Sequence, residues 1–349
     1  MNIELIGEVK TIMSNPSSKH GYFAWPTVSR LQDGKIAVGA SGFRIEHVCP
    51  FGKTVISYSY DNGETYTLPA PVIDTPLDDR DAGICTFGES GVIVTSFNNS
   101  ADMQRGYNQD NEYVQSYINT ITADDEKNYL GSTFRISRDC GITFGEIHRS
   151  PVTSPHGPTQ LKDGTVLWAG NNFADCNSGI EVVKLNTDDG TTELVGKITY
   201  RDKNLFINEP HLIEMPDGKL ICHIRAENDT TFTVLQSVSY DQGKTWTEPE
   251  MLLDETGGAP PHLILLNSGV LISTYGRRKM PYGIMAMVSF DGGETWEKNL
   301  RIYENHASDD IGYPSTIELD DGTLLTVFYA RRISEEFPSE VMQQKWKLI

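Results

Sequence analysis

The sequence predicts an all-β protein, a six-bladed β-propeller, on three observations. One turn motif, Ser-x-Asp-x-Gly-x-Thr-aromatic, stands four times, at Ser59 to Tyr66, Ser137 to Phe144, Ser239 to Trp246 and Ser289 to Trp296. A glycine turn leading into an apolar run recurs six times, at Gly34, Gly91, Gly164, Gly218, Gly269 and Gly322. Most of these glycines lie roughly fifty residues apart, the length of one four-stranded blade. With Gly 31 and Pro 17 spread among short apolar runs, the chain reads as strands joined by tight turns, with no long helical pattern.

In chain order, Ile3 to Ile12 alternates as a strand and Gln344 to Ile349 reads as another. A closed ring must hide its edge strands, so the two termini are expected to complete one blade together. Each glycine turn then joins the innermost strand of a blade to the next, as in Leu31-Gln32-Asp33-Gly34 before Lys35-Ile36-Ala37-Val38. The interval from Gly91 to Gly164 is longer because of a polar stretch, Ser100 to Asn128, expected as a long loop between blades two and three. In the third blade Leu185 to Gly190 replaces the full Asp-containing motif. That motif is architectural: its Ser and Asp side chains bond nearby backbone, its Gly takes positive φ, and its aromatic packs under the turn. One domain, residues 1–349, is expected.

Lys+Arg 29 against Asp+Glu 48 gives a formal charge of −19, which disfavours binding to nucleic acid or an anionic membrane. No segment reads as a membrane span. The start, Met1 to Glu8, has neither a basic nor an apolar leader region, and the five cysteines lack CxxC spacing; both fit a cytoplasmic chain with reduced thiols, and equally an exported chain whose leader has been removed.

Aligning the blades on their glycines locates a site. Nine residues before the glycine stand Trp25, Glu209, Pro260 and Tyr313, each followed by proline, at the start of the innermost strand. Seven or eight residues after it, where the chain returns to the same edge, stand Asn98, Asn171, Arg225 and Arg277. The two sets are expected at one mouth of the central channel, flanked by Arg80, Asp81 and His156. Paired arginines suit a planar carboxylate. A Tyr beside a Glu suits an activated nucleophile, the carboxylate taking the phenol proton. His156, His211 and His262 fall at similar offsets but match no short ligand motif, so neither a metal nor a cofactor is expected.

These residues resemble the sialidase superfamily: the four turn motifs are similar to its Asp-boxes, and six blades match its propeller. The resemblance spans essentially the whole chain. It implies Tyr313, in Gly312-Tyr313-Pro314, as nucleophile and Glu209, in Asn208-Glu209-Pro210, as its partner. It also implies Arg225 and Arg277 as two members of a carboxylate-binding arginine triad. The third is missing, because the first blade reads Phe23-Ala24-Trp25-Pro26; Arg44 or Arg80 stands in for it. The superfamily's acid/base Asp has no clean match, and Glu46, His47 and Asp81 are the candidates, with His47 and His156 also counted as substrate-binding. The implied activity is a retaining exo-glycosidase acting on a glycan or small acidic sugar such as sialic acid, through a tyrosyl intermediate. A hydrolase or lyase for a uronate-type sugar and a non-catalytic glycan-binding propeller are the alternatives.

Overall fold

A computed structural model describes residues 2–253 and 260–349. Among the described residues the chain forms six antiparallel sheets around a central axis, a six-bladed β-propeller. Blade one runs from the inner strand Tyr22–Arg30 through Ile36–Arg44 and Lys53–Ser59 to Ala70–Ile73. Blades two, four and five repeat this order, with inner strands Ile84–Phe87, Phe206–Glu214 and His262–Leu265. In blade three the inner strand is split into Val152–Thr153 and Thr159–Gln160, both paired with Val166–Asn172. Blade six takes Ile311–Glu318, Leu324–Ala330 and Glu340–Leu348 from the C-terminal end and its outermost strand, Ile3–Met13, from the N-terminus. Ile3 pairs with Leu348 and Met13 with Val341, so the two ends of the chain close the ring, as the edge-strand argument requires.

Every Asp-containing motif turns the chain between the third and outer strands of its blade, and all four use the same bonds. In blade five Gly293 N–H donates to Ser289 Oγ at 2.7 Å, Ser289 Oγ donates to Asp291 Oδ1 at 2.8 Å, and Thr295 Oγ1 donates to Asp291 Oδ2 at 2.5 Å. The bonds hold the Asp291 carboxyl far below the usual carboxylate range. Gly293 sits at φ 90°, and a Cβ there would stand 2.8 Å from Ile221 Cδ1 of the preceding blade. A side chain at this turn would thus collide with its neighbour.

The core is a ring of inter-blade layers. Leu167, Val182 and Ile198 of blade three pack on Leu220, Ile224 and Leu235 of blade four. At the closure, Met13, Val341, Leu325 and Val327 meet Phe23, Ile36, Val38 and Val55 of blade one. Inward residues of each sheet thus cover the next sheet's face, which is why one blade does not stand alone.

The polar stretch expected as a loop is instead three short helices, Ala101–Tyr107, Glu112–Ile118 and Ala123–Tyr129. Ser100, Asn111 and Thr122 cap their N-termini, and Thr122 and Asp125 form a reciprocal capping box. Ala101, Val114 and Ile118 give the insertion a small core against Ile45 and Phe51 of blade one. No helix among the described residues is long and apolar enough to cross a membrane.

Candidate functional site at the channel mouth

The mouth is built from backbone bulges. Trp25, Asp81, Glu209 and Tyr313 all have positive φ, at 54°, 49°, 47° and 51°. Strand pairing slips at three of these points: between Ala24 and Thr27, between Asn208 and His211, and between Gly312 and Ser315. Non-glycine residues seldom adopt this region, and each costs on the order of 1–3 kcal/mol. Held at equivalent places in four blades, the bulges re-aim side chains from the sheet face to the axis.

There Tyr313 Oη donates to Glu209 Oε1 at 2.5 Å. Arg225 Nη1 donates to Glu209 Oε2 at 2.5 Å, and its Nη2 to Glu227 Oε2 at 2.6 Å. Asn208 and Arg225 are direct strand partners, which brings the Glu209 bulge and the guanidinium together. Burial, reinforced by the Glu209 and Asp81 charges, raises the Tyr313 phenol well above its ordinary value, so the resting group is a neutral phenol touching a base. Asp81 is buried, and its burial pushes it up to about 7; Arg80 opposes that and Glu209 adds to it.

Arg277 does not join them. Its Nε donates to the Lys279 and Pro281 carbonyls, and it borders a surface cleft with Tyr282, Asn299, Arg301 and Glu304. Successive side chains of a strand point to opposite faces, and it is the next residue, Arg278, that turns to the mouth. Arg278 Nη2 donates to Tyr329 Oη at 2.9 Å, and its guanidinium lies 5.9 Å from the Tyr313 ring centre.

Arg44 is likewise corrected as a substrate contact. It is fully buried, paired with Asp78 at 2.5 Å, and donates to Ser41 Oγ, the Glu46 carbonyl and the His47 carbonyl. Arg80 stacks on Trp25, 4.0 Å from the ring centre, and also donates to the His47 carbonyl at 2.8 Å. Beside the arginine-free position, where Ala24 stands two residues before Pro26, lies an indole that two other guanidiniums approach, since Arg44 is 4.8 Å from the same ring centre.

His47 stands on the rim, edge-on to Trp25 at 4.9 Å between ring centres. Glu46 beside it is exposed and bonded to Arg331 Nη2 at 2.6 Å. Arg331 also donates through Nε to Asp310 Oδ2 at 2.9 Å. Arg278, Arg331, Asp310, Tyr22 and Tyr329 were not among the sequence candidates. Arg278 and Arg331 both lie nine residues past their blade's glycine, a signal the alignment contained.

His156 is not at the mouth but beneath it, 1% exposed, in a triad with His211 and His262. It lies one residue further along the chain than the mouth position, which carries it down the channel. Backbone N–H groups of Leu263 and Thr316 donate to Nδ1 of His211 and His262, which puts the proton of each neutral ring on Nε2 and leaves neither ring a free lone pair for a metal.

A family model described as a BNR repeat-like domain matches residues 107–326. No curated protein matches the chain. Among solved structures, a protein of unknown function from Dyadobacter fermentans has a TM-score of 0.79 at 18% identity, covering 100% of both chains. The NanB sialidase of Streptococcus pneumoniae gives 0.67 at 14% identity over 97% of this chain and 70% of that one. The Trypanosoma rangeli sialidase, in complex with the inhibitor DANA, gives 0.63 at 15% identity over 98% of this chain and 59% of that one. At such identities the likeness is one of fold.

Proposed function

The chain belongs to the family of BNR repeat-like domains, and from that premise we propose that it is a sialidase-like retaining exo-glycosidase that removes a terminal acidic sugar through a tyrosyl intermediate. The observation that carries the reading is the 2.5 Å bond from Tyr313 Oη to Glu209 Oε1 at the channel mouth. The Tyr313 oxygen attacks the anomeric carbon while its proton passes to Glu209. A buried phenol is a poor nucleophile until that transfer begins, and the carboxylate is already in place. Being neutral at rest, Tyr313 does not repel an anionic sugar. Arg225 and Arg278 supply the opposite charge: each terminal nitrogen of Arg225 keeps an N–H beyond those used by Glu209 and Glu227.

The test uses aryl sialosides and the aryl glycosides of related keto acids and uronates. Tyr313→Phe and Glu209→Gln should each lower kcat/KM at least about a hundredfold, with retained configuration in the first product seen by proton NMR. Wild-type turnover in both variants, on a substrate the parent cleaves, sinks the assignment. The lost arginine two residues before Pro26, where Ala24 stands, favours one second reading, a lyase for a uronate. An unsaturated, ultraviolet-absorbing product would move the site to that chemistry, and tight binding without cleavage would make it a lectin.

A further inference from the structure

The nucleophile pair needs a partner that protonates the leaving oxygen and later activates water, and two carboxylates near the mouth are already engaged. Asp81 is 5% exposed, and its charge acts on Glu209 and Tyr313, the nucleophile pair itself. Glu46 is ion-paired to Arg331.

We propose that His47, held by Asp310 and Tyr22, is the general acid and base of this site, an inference that rests on the glycosidase reading above. Tyr22 Oη, 3.0 Å from Asp310 Oδ2, lies 3.2 Å from His47 Nδ1, and Asp310 Oδ1 lies 3.5 Å from the same nitrogen. Nδ1 is thereby occupied, and Nε2 has no partner among the described residues, on a side chain that is 45% exposed. The backbone is fixed as firmly: guanidiniums of Arg44 and Arg80 both donate to the His47 carbonyl at 2.8 Å. His47 and Tyr313 flank the Trp25 indole, at 4.9 and 6.3 Å between ring centres. A sugar bound at the mouth between these two rings has the acid on one side and the nucleophile on the other.

In the first step His47 Nε2–H gives its proton to the glycosidic oxygen as the bond to the anomeric carbon breaks. Tyr313 Oη forms the new bond to that carbon, and its proton goes to Glu209. In the second step neutral His47 takes a proton from water, the water oxygen attacks the anomeric carbon, and Tyr313 leaves with its proton returned from Glu209. Both protons are then back where they began.

The groups facing His47 are Asp310 and Tyr22, with Arg80, Arg44, Arg331 and Glu46 around them. Burial lowers the imidazolium pKa below its ordinary 6.5, Arg80 and Arg44 add to that, and Asp310 opposes it. The acid form is therefore lost as pH rises through a value under 6.5, and the first step is fastest on the acid side of that value.

The experiment varies the leaving group. His47→Ala and His47→Gln should lose about 10²–10⁴-fold in kcat/KM on an alkyl glycoside, which needs protonation. On a dinitrophenyl glycoside, which does not, they should stay within about tenfold of the parent, and azide should rescue turnover of the trapped intermediate. Asp310→Asn should shift the alkaline limb of the profile to lower pH. Equal losses on both substrates, or an unchanged alkaline limb in both His47 variants, overturn the role of His47 while leaving Tyr313 and Glu209 in theirs. A parent that cleaves neither glycoside overturns the glycosidase reading itself and this inference with it.

Discussion

The side chains that meet at the mouth depend on single-residue choices of direction. Arg277 and Arg278 are adjacent, yet one lies along a surface cleft and the other beside Tyr313. If Arg278 meets a substrate carboxylate, Arg278→Ala should cost on the order of 2–5 kcal/mol in transition-state binding, since the anion is left unpaired in a partly desolvated site. Arg278→Lys should recover part of it, because a point charge lacks the planar fork. Arg277→Ala should leave kcat/KM within about twofold, and a neutral-sugar glycoside should be nearly indifferent to all three. Comparable losses from Arg277→Ala and Arg278→Ala, or on charged and neutral substrates, would exclude the carboxylate contact. Arg225→Ala calls for a separate control, because it frees Glu209 and Glu227 from their shared cation.

At the scale of elements, the segment after Ile36–Arg44 carries His47 and Glu46, and it is tied down from below by the Arg44–Asp78 pair, both partners with 0% side-chain exposure. The helical insertion completes that tie, since Gln104 Nε2 donates to Asp78 Oδ2 at 2.7 Å. Removing one partner of a buried pair leaves a bare charge, so Arg44→Met should cost about 3–5 kcal/mol in denaturant unfolding. It should also loosen His47, whose carbonyl loses one of two donors. A loss under about 1 kcal/mol would mean that Arg80 and Gln104 alone hold Asp78 and the segment. The blades were legible in the sequence because their signals are local: a glycine with positive φ and a Ser, Asp and Thr that bond within their own turn. The Glu209–Tyr313 juxtaposition was legible too, because both residues occupy one offset in a repeating unit. The face of Arg278 was not, since a one-residue step reverses it. Nor was the insertion read as helical, although Ser100, Asn111 and Thr122 each open a short run that their side chains cap. Asp310 and Tyr22 come together only when blade six closes on blade one, a contact between residues 288 apart in sequence.

For the whole molecule, the axial channel places neutral histidines where a charge has no water. His156, His211 and His262 line it, and His223 is buried between Ser273 Oγ at 2.9 Å and Gln236 Oε1 at 3.1 Å. Burial lowers all four: His211 to about 4, His223 to about 3, and His156 and His262 well below the ordinary value. Such rings bind protons in the unfolded chain from about pH 6.5 downward but not in the folded one, so each removes stability as pH falls from there towards its folded pKa. Asp79 and Asp81 act the other way. Their folded carboxyls are pushed up to about 7 by burial, so they stay protonated where the unfolded chain has ionised, and they remove stability as pH rises from about 4 to 7. Four histidines against two carboxyls leave a net slope of the histidine sign, and the propeller should lose stability between pH 6.5 and 4.5. Urea unfolding across that range should show a free energy rising with pH, and His223→Gln, which keeps a polar side chain between Ser273 and Gln236, should flatten the slope by about one proton's worth, roughly 1.4 kcal/mol per pH unit. An unfolding free energy that is level or falls with pH over this window would mean that water or a counter-ion enters the channel and lets these rings charge.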